Sequence, residues 1–185
     1  MADDTDHEAV VRERFPAIAR IEDDDLRAGV VEAWTQTLAE TGWDLDEVPW
    51  FPPLQAEWGL PDERTVPHVR DVVAASEALA AAMVERGAAL STDLVLAGAL
   101  VHDVSKLYEF APPEGAETAV HELLGHPNYG VVPAARAGLP AEVLHVVLAH
   151  SRRTNVDPAT LEAQVVTHAD RVAAASIEAR AEPDG

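Results

Sequence analysis

Apolar residues recur every three or four positions along most of the chain, the spacing that places them on one face of an α-helix. The clearest case begins after three aspartates, 23–25, which suit a helix N-cap, and ends at Gly42, which suits a helix C-terminus. Between these points one helix face carries Leu26, Val30, Trp34 and Leu38. We therefore predict a helix that runs to about residue 40 and buries this face.

The same periodicity predicts helices along the rest of the chain, apart from one segment rich in proline and tryptophan. No segment alternates apolar and polar residues over a useful length, so strands are not expected. In residues 43–61 the prolines are dense enough to argue against a regular helix. The remaining helices are predicted near 65–87, 91–102, 140–150 and 155–180, with one or two short helices within 116–138. The expected fold is all-α, a single-domain helical bundle.

The composition excludes several classes of site and partner. The chain has 185 residues, no cysteine and a formal net charge of −20 at pH 7. Without cysteine there are no disulfides, thiolate metal sites or cysteine nucleophiles. Nucleic acid and anionic membranes need lysine and arginine patches, so neither is an expected partner. The longest apolar run, 94–101, is too short to cross a bilayer, and we expect a soluble cytoplasmic protein.

The basic residues suggest adaptation to high salt. Lys106 is the sole lysine, and all other residues among the 13 basic ones are arginines. An acidic, lysine-poor surface is typical of proteins from salt-loaded cytoplasms, where ionic screening weakens the repulsion between like charges. The alternative is an ordinary acidic protein from a GC-rich gene. We favour the halophilic interpretation.

Five predicted helical segments each carry a residue type that binds metal ions. They are His68, the pair His102–Asp103, His126, His150 and Asp170, spaced about one helix and one loop apart. This spacing allows antiparallel helices to bring all six side chains together in the core of a bundle, as in carboxylate–histidine metal sites. The alternative is a set of hydrogen-bonded core histidines with one buried ion pair, which leaves buried aspartates without compensation.

The adjacent residues His102 and Asp103 set a geometric condition on such a site. Neighbouring residues of an α-helix point about 100° apart, so both side chains converge on one ion only near a helix end or an irregularity. The polar residues Ser105 and Lys106 follow directly, which favours a helix end at this point.

The order and context of these residues resemble the HD-domain superfamily of metal-dependent phosphohydrolases. The motifs that carry the resemblance are His68, Ala-Leu-Val-His-Asp-Val-Ser-Lys at 99–106, His-Pro-Asn-Tyr-Gly at 126–130, Ala-Gly-Leu-Pro at 137–140, Val-Leu-Ala-His at 147–150 and His-Ala-Asp-Arg-Val at 168–172. Val104–Ser105 departs from the Ile-Gly of many members, which bears on local packing and not on the ligands. The resemblance implies an HD domain over 65–180. We expect 1–64 to be a helical and Pro/Trp-rich segment packed on that core, and 181–185 to be a frayed tail.

The resemblance also implies roles for the candidate residues. The implied ligands are His68, His102, Asp103 and Asp170 for a first metal ion, with His126 and His150 for a second ion that Asp103 bridges. Asp103 and Lys106 are the residues expected to take part in catalysis, with Lys106 facing the substrate phosphate. A ligand set without thiolates suits Mn²⁺, Fe²⁺, Mg²⁺, Co²⁺ or Zn²⁺ and does not choose among them.

Three arginines are further candidates for binding the phosphate. Arg152 and Arg153 follow His150 directly, and Arg171 follows Asp170. We expect all three to bind substrate; the alternatives are a solvated helix end for the first two and pairing with an aspartate for Arg171. The segment 43–61 is either an apolar cap over the core or a lid or wall on which a base stacks.

The function that the resemblance implies is the hydrolysis of a phosphate mono- or diester by metal-activated water, with a nucleotide or similar small molecule as substrate. Two other functions stay open at this point. One is a di-iron oxygenase, because some relatives with a similar ligand set activate O₂. The other is a regulatory module that binds a nucleotide without catalysis, and the complete set of six ligands argues against it.

Overall fold

Helices make up nearly all of the regular structure in residues 4–181, which a computed structural model describes. Among these residues, no helix combines the length and the apolar composition that crossing a membrane requires. The all-α fold class predicted from the sequence is confirmed. Most of the predicted frayed tail, residues 182–185, lies outside the described residues, and the division of the chain at residue 64 stays a prediction.

The helices are α1 (Asp4–Arg14), α2 (Asp24–Thr41), α3 (Pro52–Trp58), α4 (Thr65–Glu85), α5 (Thr92–Val101), α6 (Lys106–Glu109), α7 (Ala119–Leu123), α8 (His126–Tyr129), α9 (Val131–Arg136), α10 (Ala141–Ala149) and α11 (Leu161–Glu178), with a 3₁₀-helix at Pro16–Arg20.

The caps expected at the long helices are present. Asp23 is the N-cap of α2, and one of its carboxylate oxygens accepts hydrogen bonds of 2.9 Å from two backbone N–H groups of the first turn. Gly42 ends the helix with a φ of 71°, a left-handed conformation that glycine adopts without steric cost. Ser91 caps α5 in the same manner, accepting from the backbone N–H of Leu94 at 3.2 Å.

The hydrophobic core lies where α2, α4, α5, α10 and α11 pack together. Within it, α4 lies against α5 and α11, and α5 also contacts α2 and α10. Trp34 of α2 is fully buried, and its indole N–H donates to the backbone oxygen of Leu100 in α5 at 2.9 Å. Phe15, which follows α1, packs on the Trp34 ring with a centroid distance of 4.9 Å. The first helices therefore share one core with the rest of the described chain.

The structure departs from the sequence predictions at a few places. Two strands of two residues each, β1 (Phe110–Ala111) and β2 (Ala116–Glu117), pair antiparallel, and they are too short to leave an alternating pattern.

The proline-rich segment does contain a helix, α3, because its two prolines occupy the first turn, where a missing N–H breaks no helical hydrogen bond. Three short helices, not one or two, follow β2. The last helix begins at Leu161, not near 155–158, since Thr160 supplies its N-cap.

Candidate metal centre

Helix ends deliver several of the candidate ligands to one place. α5 ends at Val101, His102 is its C-cap residue, and Asp103 lies in the turn that follows. The prediction that this adjacent pair lies at a helix end is confirmed. His150 is likewise the C-cap residue of α10, and His126 is the first residue of α8.

A close contact between α5 and α10 sets the separation of His102 and His150. Gly98 precedes His102 by one helical turn, and it lies against Val146, which precedes His150 by one turn. A Cβ atom at Gly98 would lie 2.7 Å from Val146 Cγ1, which is closer than packed carbon atoms approach, so this crossing requires a glycine. With the helices this close, the ring centroids of His102 and His150 are 5.0 Å apart.

The two carboxylate oxygens of Asp103 face different imidazoles. Its Oδ2 atom lies 3.3 Å from Nε2 of His68 and 3.3 Å from Nε2 of His102. Its Oδ1 atom lies 3.5 Å from Nε2 of His126 and 3.7 Å from Nε2 of His150. Asp103 therefore stands between two pairs of histidines, which is the arrangement expected of a bridging carboxylate.

Asp170, from α11, joins the first pair of histidines. Its Oδ1 atom lies 3.1 Å from Nε2 of His68 and 3.9 Å from Nε2 of His102. The six predicted ligands thus form two groups of three in the described chain, and within each group the ligand atoms lie within 4.8 Å of one another. The groups are His68, His102 and Asp170, and Asp103, His126 and His150.

Hydrogen bonds on the far side of three imidazoles orient them toward this site. The Nδ1 atoms of His102 and His150 each lie 2.7 Å from the backbone oxygen three residues earlier. Nδ1 of His126 lies 3.0 Å from Oε2 of Glu109. Each acceptor favours the tautomer with its proton on Nδ1, which leaves the Nε2 lone pair facing the site. Among the described residues, Nε2 of His102 makes no hydrogen bond of good geometry, although Oδ2 of Asp103 lies 3.3 Å away, and this is a costly state for a buried nitrogen that binds nothing.

Burial and neighbouring charges set the protonation states of these groups. Burial, together with two neighbouring imidazoles, lowers the pKa of His150 to about 3. This imidazole is therefore neutral at pH 7, and its Nε2 lone pair is available to a metal ion. Burial raises the pKa of Asp103, but Lys106 and the adjacent imidazoles outweigh it and hold that pKa well below its usual range. Burial opposes a charge on His102 as well, yet the carboxylates of Asp103 and Asp170 leave its pKa raised. The site therefore favours positive charge beside its two carboxylates.

The donor set suits a divalent cation. Imidazole nitrogens and carboxylate oxygens together bind Mn²⁺, Fe²⁺, Co²⁺ and Zn²⁺, and carboxylates also suit Mg²⁺. Two carboxylates that carry negative charge in a buried site need compensation by cations, and Nε2 lone pairs aimed at the same space supply further ligands. These residues fit a metal centre.

Basic side chains predicted to bind phosphate line one cavity of about 550 Å³ beside the ligands. Lys106 is buried, and its Nζ atom lies 2.7 Å from Oδ2 of Asp103. Arg152 and Arg171 are exposed and line the same cavity. The structure thus places three of the four predicted cations where an anionic group beside the ligands would meet them.

Arg153 also lines the cavity, but it is held by a residue that sequence analysis missed. Its Nη1 donates to Oε1 of Glu109 at 2.9 Å, and its Nη2 donates to the backbone oxygen of His121 at 3.2 Å. Glu109 is fully buried, and its carboxylate also accepts from His126. The one signal in the sequence was an acidic residue in an otherwise apolar stretch seven positions after His102.

The sequence profile of the HD domain matches residues 66–175, more than half of the chain. The chain belongs to the HD domain family. The resemblance inferred from the motifs is thereby confirmed, and the matched residues include all six candidate ligands.

A curated relative of this family member is the dihydroneopterin 2′,3′-cyclic phosphate phosphodiesterase of Methanocaldococcus jannaschii. It is 27% identical over 165 residues, and the match covers 82% of this chain and 64% of the relative. The chain therefore spans less than two thirds of the length of that protein. No solved structure gives a significant match to the chain.

Proposed function

We propose that the protein is a metal-dependent phosphohydrolase that cleaves a phosphate mono- or diester of a small molecule. The observation that carries this proposal is the position of Asp103, whose two oxygens face two separate pairs of imidazoles. Ester hydrolysis needs an activated water and positive charge beside the phosphoryl oxygens. The six candidate ligands would hold the ions that activate water, and the basic side chains of the cavity would place positive charge beside the phosphoryl oxygens.

The two groups of ligands would hold one divalent ion each, with Asp103 shared between them. Ions bound there would lower the pKa of water toward neutrality and neutralise charge on the phosphoryl oxygens. Glu109 would act behind His126: by accepting the Nδ1 proton, it keeps Nε2 of that histidine available as a donor.

Lys106, Arg152 and Arg171 would bind the phosphate. Lys106 is fixed by its ion pair with Asp103, so its charge is held beside the ligands at little further entropic cost. In a chain of net charge −20, these side chains would attract an anionic substrate, with bound ions offsetting the carboxylates of Asp103 and Asp170 in the same cavity. We assign Arg153 to a different task, because two of its nitrogens already donate within the protein and hold Glu109 in place.

The relative from Methanocaldococcus jannaschii is named for a cyclic phosphodiester, which leads us to propose a diester as the preferred substrate. In that reaction water adds to phosphorus and one phosphorus–oxygen ester bond breaks. The departing oxygen takes up a proton, and the product is a phosphate monoester. For a cyclic diester, both parts of the product stay in one molecule.

The decisive experiment is a panel of esters assayed with each candidate metal. The protein is stripped with EDTA, reconstituted anaerobically with Mn²⁺, Fe²⁺, Mg²⁺, Co²⁺ or Zn²⁺, and incubated with 2′,3′-cyclic GMP, GMP or bis(p-nitrophenyl) phosphate. We expect hydrolysis with at least one metal, none in EDTA, and the cyclic diester as the best substrate. A protein that hydrolyses none of these esters under any condition contradicts the proposal, and oxygen uptake by the iron-loaded protein would then favour the oxygenase.

A further inference from the structure

The aromatic residues of the segment 43–61 divide between the core and the cavity. Trp43 is buried in the core, where its indole N–H donates to two backbone oxygens at 3.1 and 2.9 Å. Trp50, Phe51 and Trp58 line the cavity beside the candidate ligands. The segment therefore supplies both an apolar cap and an aromatic wall, which are the two alternatives left open by the sequence.

We infer that the substrate carries a planar heteroaromatic ring, which stacks on Trp58 in this cavity. The inference rests on the proposed function, because it identifies the part of the ester beyond its phosphate. The cavity, at about 550 Å³, falls within the range of about 300–1,000 Å³ that small-molecule sites occupy. A phosphate group fills a minor part of that volume, so most of the cavity is available to the group that the phosphate esterifies.

The lining of the cavity changes from charged to apolar. Its charged part holds Asp103, Asp170, Lys106 and the arginines, and it suits the phosphate and the ions. Its apolar part consists mainly of Trp50, Phe51, Leu54, Trp58, Ala174 and Ala175. The first four belong to α3 and the two residues before it, and the alanines belong to the second half of α11, where the exposed Glu178 also lines the cavity one turn after Ala174. A substrate that fills both parts is an anion attached to an apolar group, and aromatic walls favour a flat one.

Trp58 is the platform on which such a ring would lie. Its indole is half-buried, and it stacks on the ring of Trp50 with centroids 5.8 Å apart and planes inclined by 30°. Trp50 itself is only 4% exposed, and its ring centroid lies 5.5 Å from that of His68 and 5.3 Å from Nζ of Lys106. The half-buried indole is therefore held one ring away from a candidate ligand and from a phosphate-binding cation.

Small side chains on α11 keep the apolar part of the cavity open. Ala174 follows the candidate ligand Asp170 by one helical turn, and Ala175 is its neighbour. Because neither side chain extends beyond Cβ, the space between this helix and the aromatic wall stays free for a ring. A larger side chain at position 174 would fill that space.

The test compares two diesters that share a five-membered cyclic phosphate and differ in the ring: 2′,3′-cyclic GMP and glycerol 1,2-cyclic phosphate. The readout is the ratio of their kcat/KM values. Trp58→Ala is expected to lower this ratio by about tenfold or more, the effect of losing one stacked base. Trp58→Phe keeps a flat ring and is expected to restore most of the ratio. Leu123→Ala, at a residue that is 78% exposed and lies outside the cavity, is the control and should keep the parent ratio.

Ala174→Leu gives a second test that leaves the tryptophan in place. By enlarging a side chain that lines the apolar part of the cavity, this substitution is expected to lower the same ratio. The inference is overturned if both Trp58→Ala and Ala174→Leu reduce hydrolysis of the two esters equally or leave the ratio unchanged. It is also overturned if the parent protein hydrolyses the ring-less ester as efficiently as the nucleotide.

A failure of the proposed function is detected separately. Calorimetric titration with 2′,3′-cyclic GMP in EDTA measures binding without turnover, and Trp58→Ala should raise the Kd by about tenfold. If the parent hydrolyses no phosphate ester with any metal, the proposed function fails. In that case a higher Kd in Trp58→Ala than in the parent still supports the inference about the ring, and equal Kd values for parent and variant overturn it.

Discussion

Glu109 accepts two hydrogen bonds from His126, one at 2.7 Å from its backbone N–H to Oε1 and one at 3.0 Å between Nδ1 and Oε2. Burial raises the pKa of this carboxyl, but the bonds from His126 and the charge of Arg153 outweigh burial and hold it below its usual value. Glu109 is therefore a carboxylate at neutral pH. It fixes both the backbone and the ring of a candidate ligand without facing the cavity itself.

Glu109→Gln is expected to weaken metal binding by about 10–100-fold, the usual effect of changing an outer partner of a metal ligand. The amide offers one acceptor oxygen where the carboxylate offers two. The protein therefore loses either the contact of Oε2 with the His126 ring or the contacts of Oε1 with the His126 backbone N–H and Arg153. Metal titration of the EDTA-stripped protein measures the change. The control is Glu114→Gln, at an exposed residue between β1 and β2. Equal metal affinity in the parent and Glu109→Gln contradicts this role.

Asp103→Asn tests the shared carboxylate. Changing an outer partner of a metal ligand lowers activity by up to about 100-fold. Because Asp103 would be a ligand itself, the loss of activity in Asp103→Asn is expected to exceed that value. The variant should also be less stable in EDTA, since Lys106 is buried and loses its partner at 2.7 Å; breaking a buried ion pair costs about 3–5 kcal/mol. Asp71→Asn, at an exposed position of α4, is the matched control. Near-normal turnover in Asp103→Asn contradicts the site.

The parts of the fold that could be predicted from sequence are those that local chemistry determines. Asp23 and Gly42 bound α2 as expected, because a cap depends on the few residues around it. The convergence of His102 and Asp103 was also predictable, since two adjacent ligands require a helix end. The polar residues Ser105 and Lys106, which follow directly, indicated the same helix end.

The parts that could not be predicted depend on contacts between distant residues. Glu109 and Arg153 are 44 positions apart, and their ion pair exists because α6 and the turn after α10 meet in the fold. In the sequence Arg153 is a basic residue beside a ligand, which favours a phosphate contact. The different roles of Trp43 and Trp58 are likewise set by what packs on each ring. Both lie in the same Pro/Trp-rich segment, so its amino-acid composition alone does not distinguish them.

The hydroxyl of Tyr108 donates a hydrogen bond to Oε2 of Glu40 at 2.6 Å. Burial and this carboxylate raise the pKa of Tyr108 to about 12. A group whose pKa is raised on folding stabilises the protein fully below its unfolded pKa of about 10 and loses that contribution as the pH rises toward 12. In Tyr129→Phe, Tyr108 is the sole tyrosine, so its ionisation can be followed by absorbance at 295 nm. We expect a midpoint near 12 in the folded protein and near 10 in urea; equal midpoints contradict the contact.

Salt dependence tests the halophilic interpretation. With a net charge of −20, repulsion between acidic side chains acts over about 10 Å at 0.1 M salt and over about 3 Å at 1 M. We expect the Tm to rise between these concentrations of KCl. The melts are run in EDTA, so that metal binding does not contribute, and with chloride, because sulfate stabilises most proteins by exclusion from their surfaces. A Tm that is constant or falls over this range contradicts salt adaptation.

The number of bound metals distinguishes a ligand role for His126 and His150 from a role in binding phosphate. Their Nε2 atoms face Oδ1 of Asp103, while the other imidazoles face Oδ2, which favours two ions. His126→Ala or His150→Ala should therefore lower the metal content from about two per chain to about one, with a large fall in kcat. If these histidines bind phosphate instead, the metal content stays at the parent value and KM rises. Elemental analysis after anaerobic reconstitution with Mn²⁺ or Fe²⁺ decides, with His145→Ala, outside both groups, as the control. A parent protein that never exceeds one metal per chain contradicts the two-metal site.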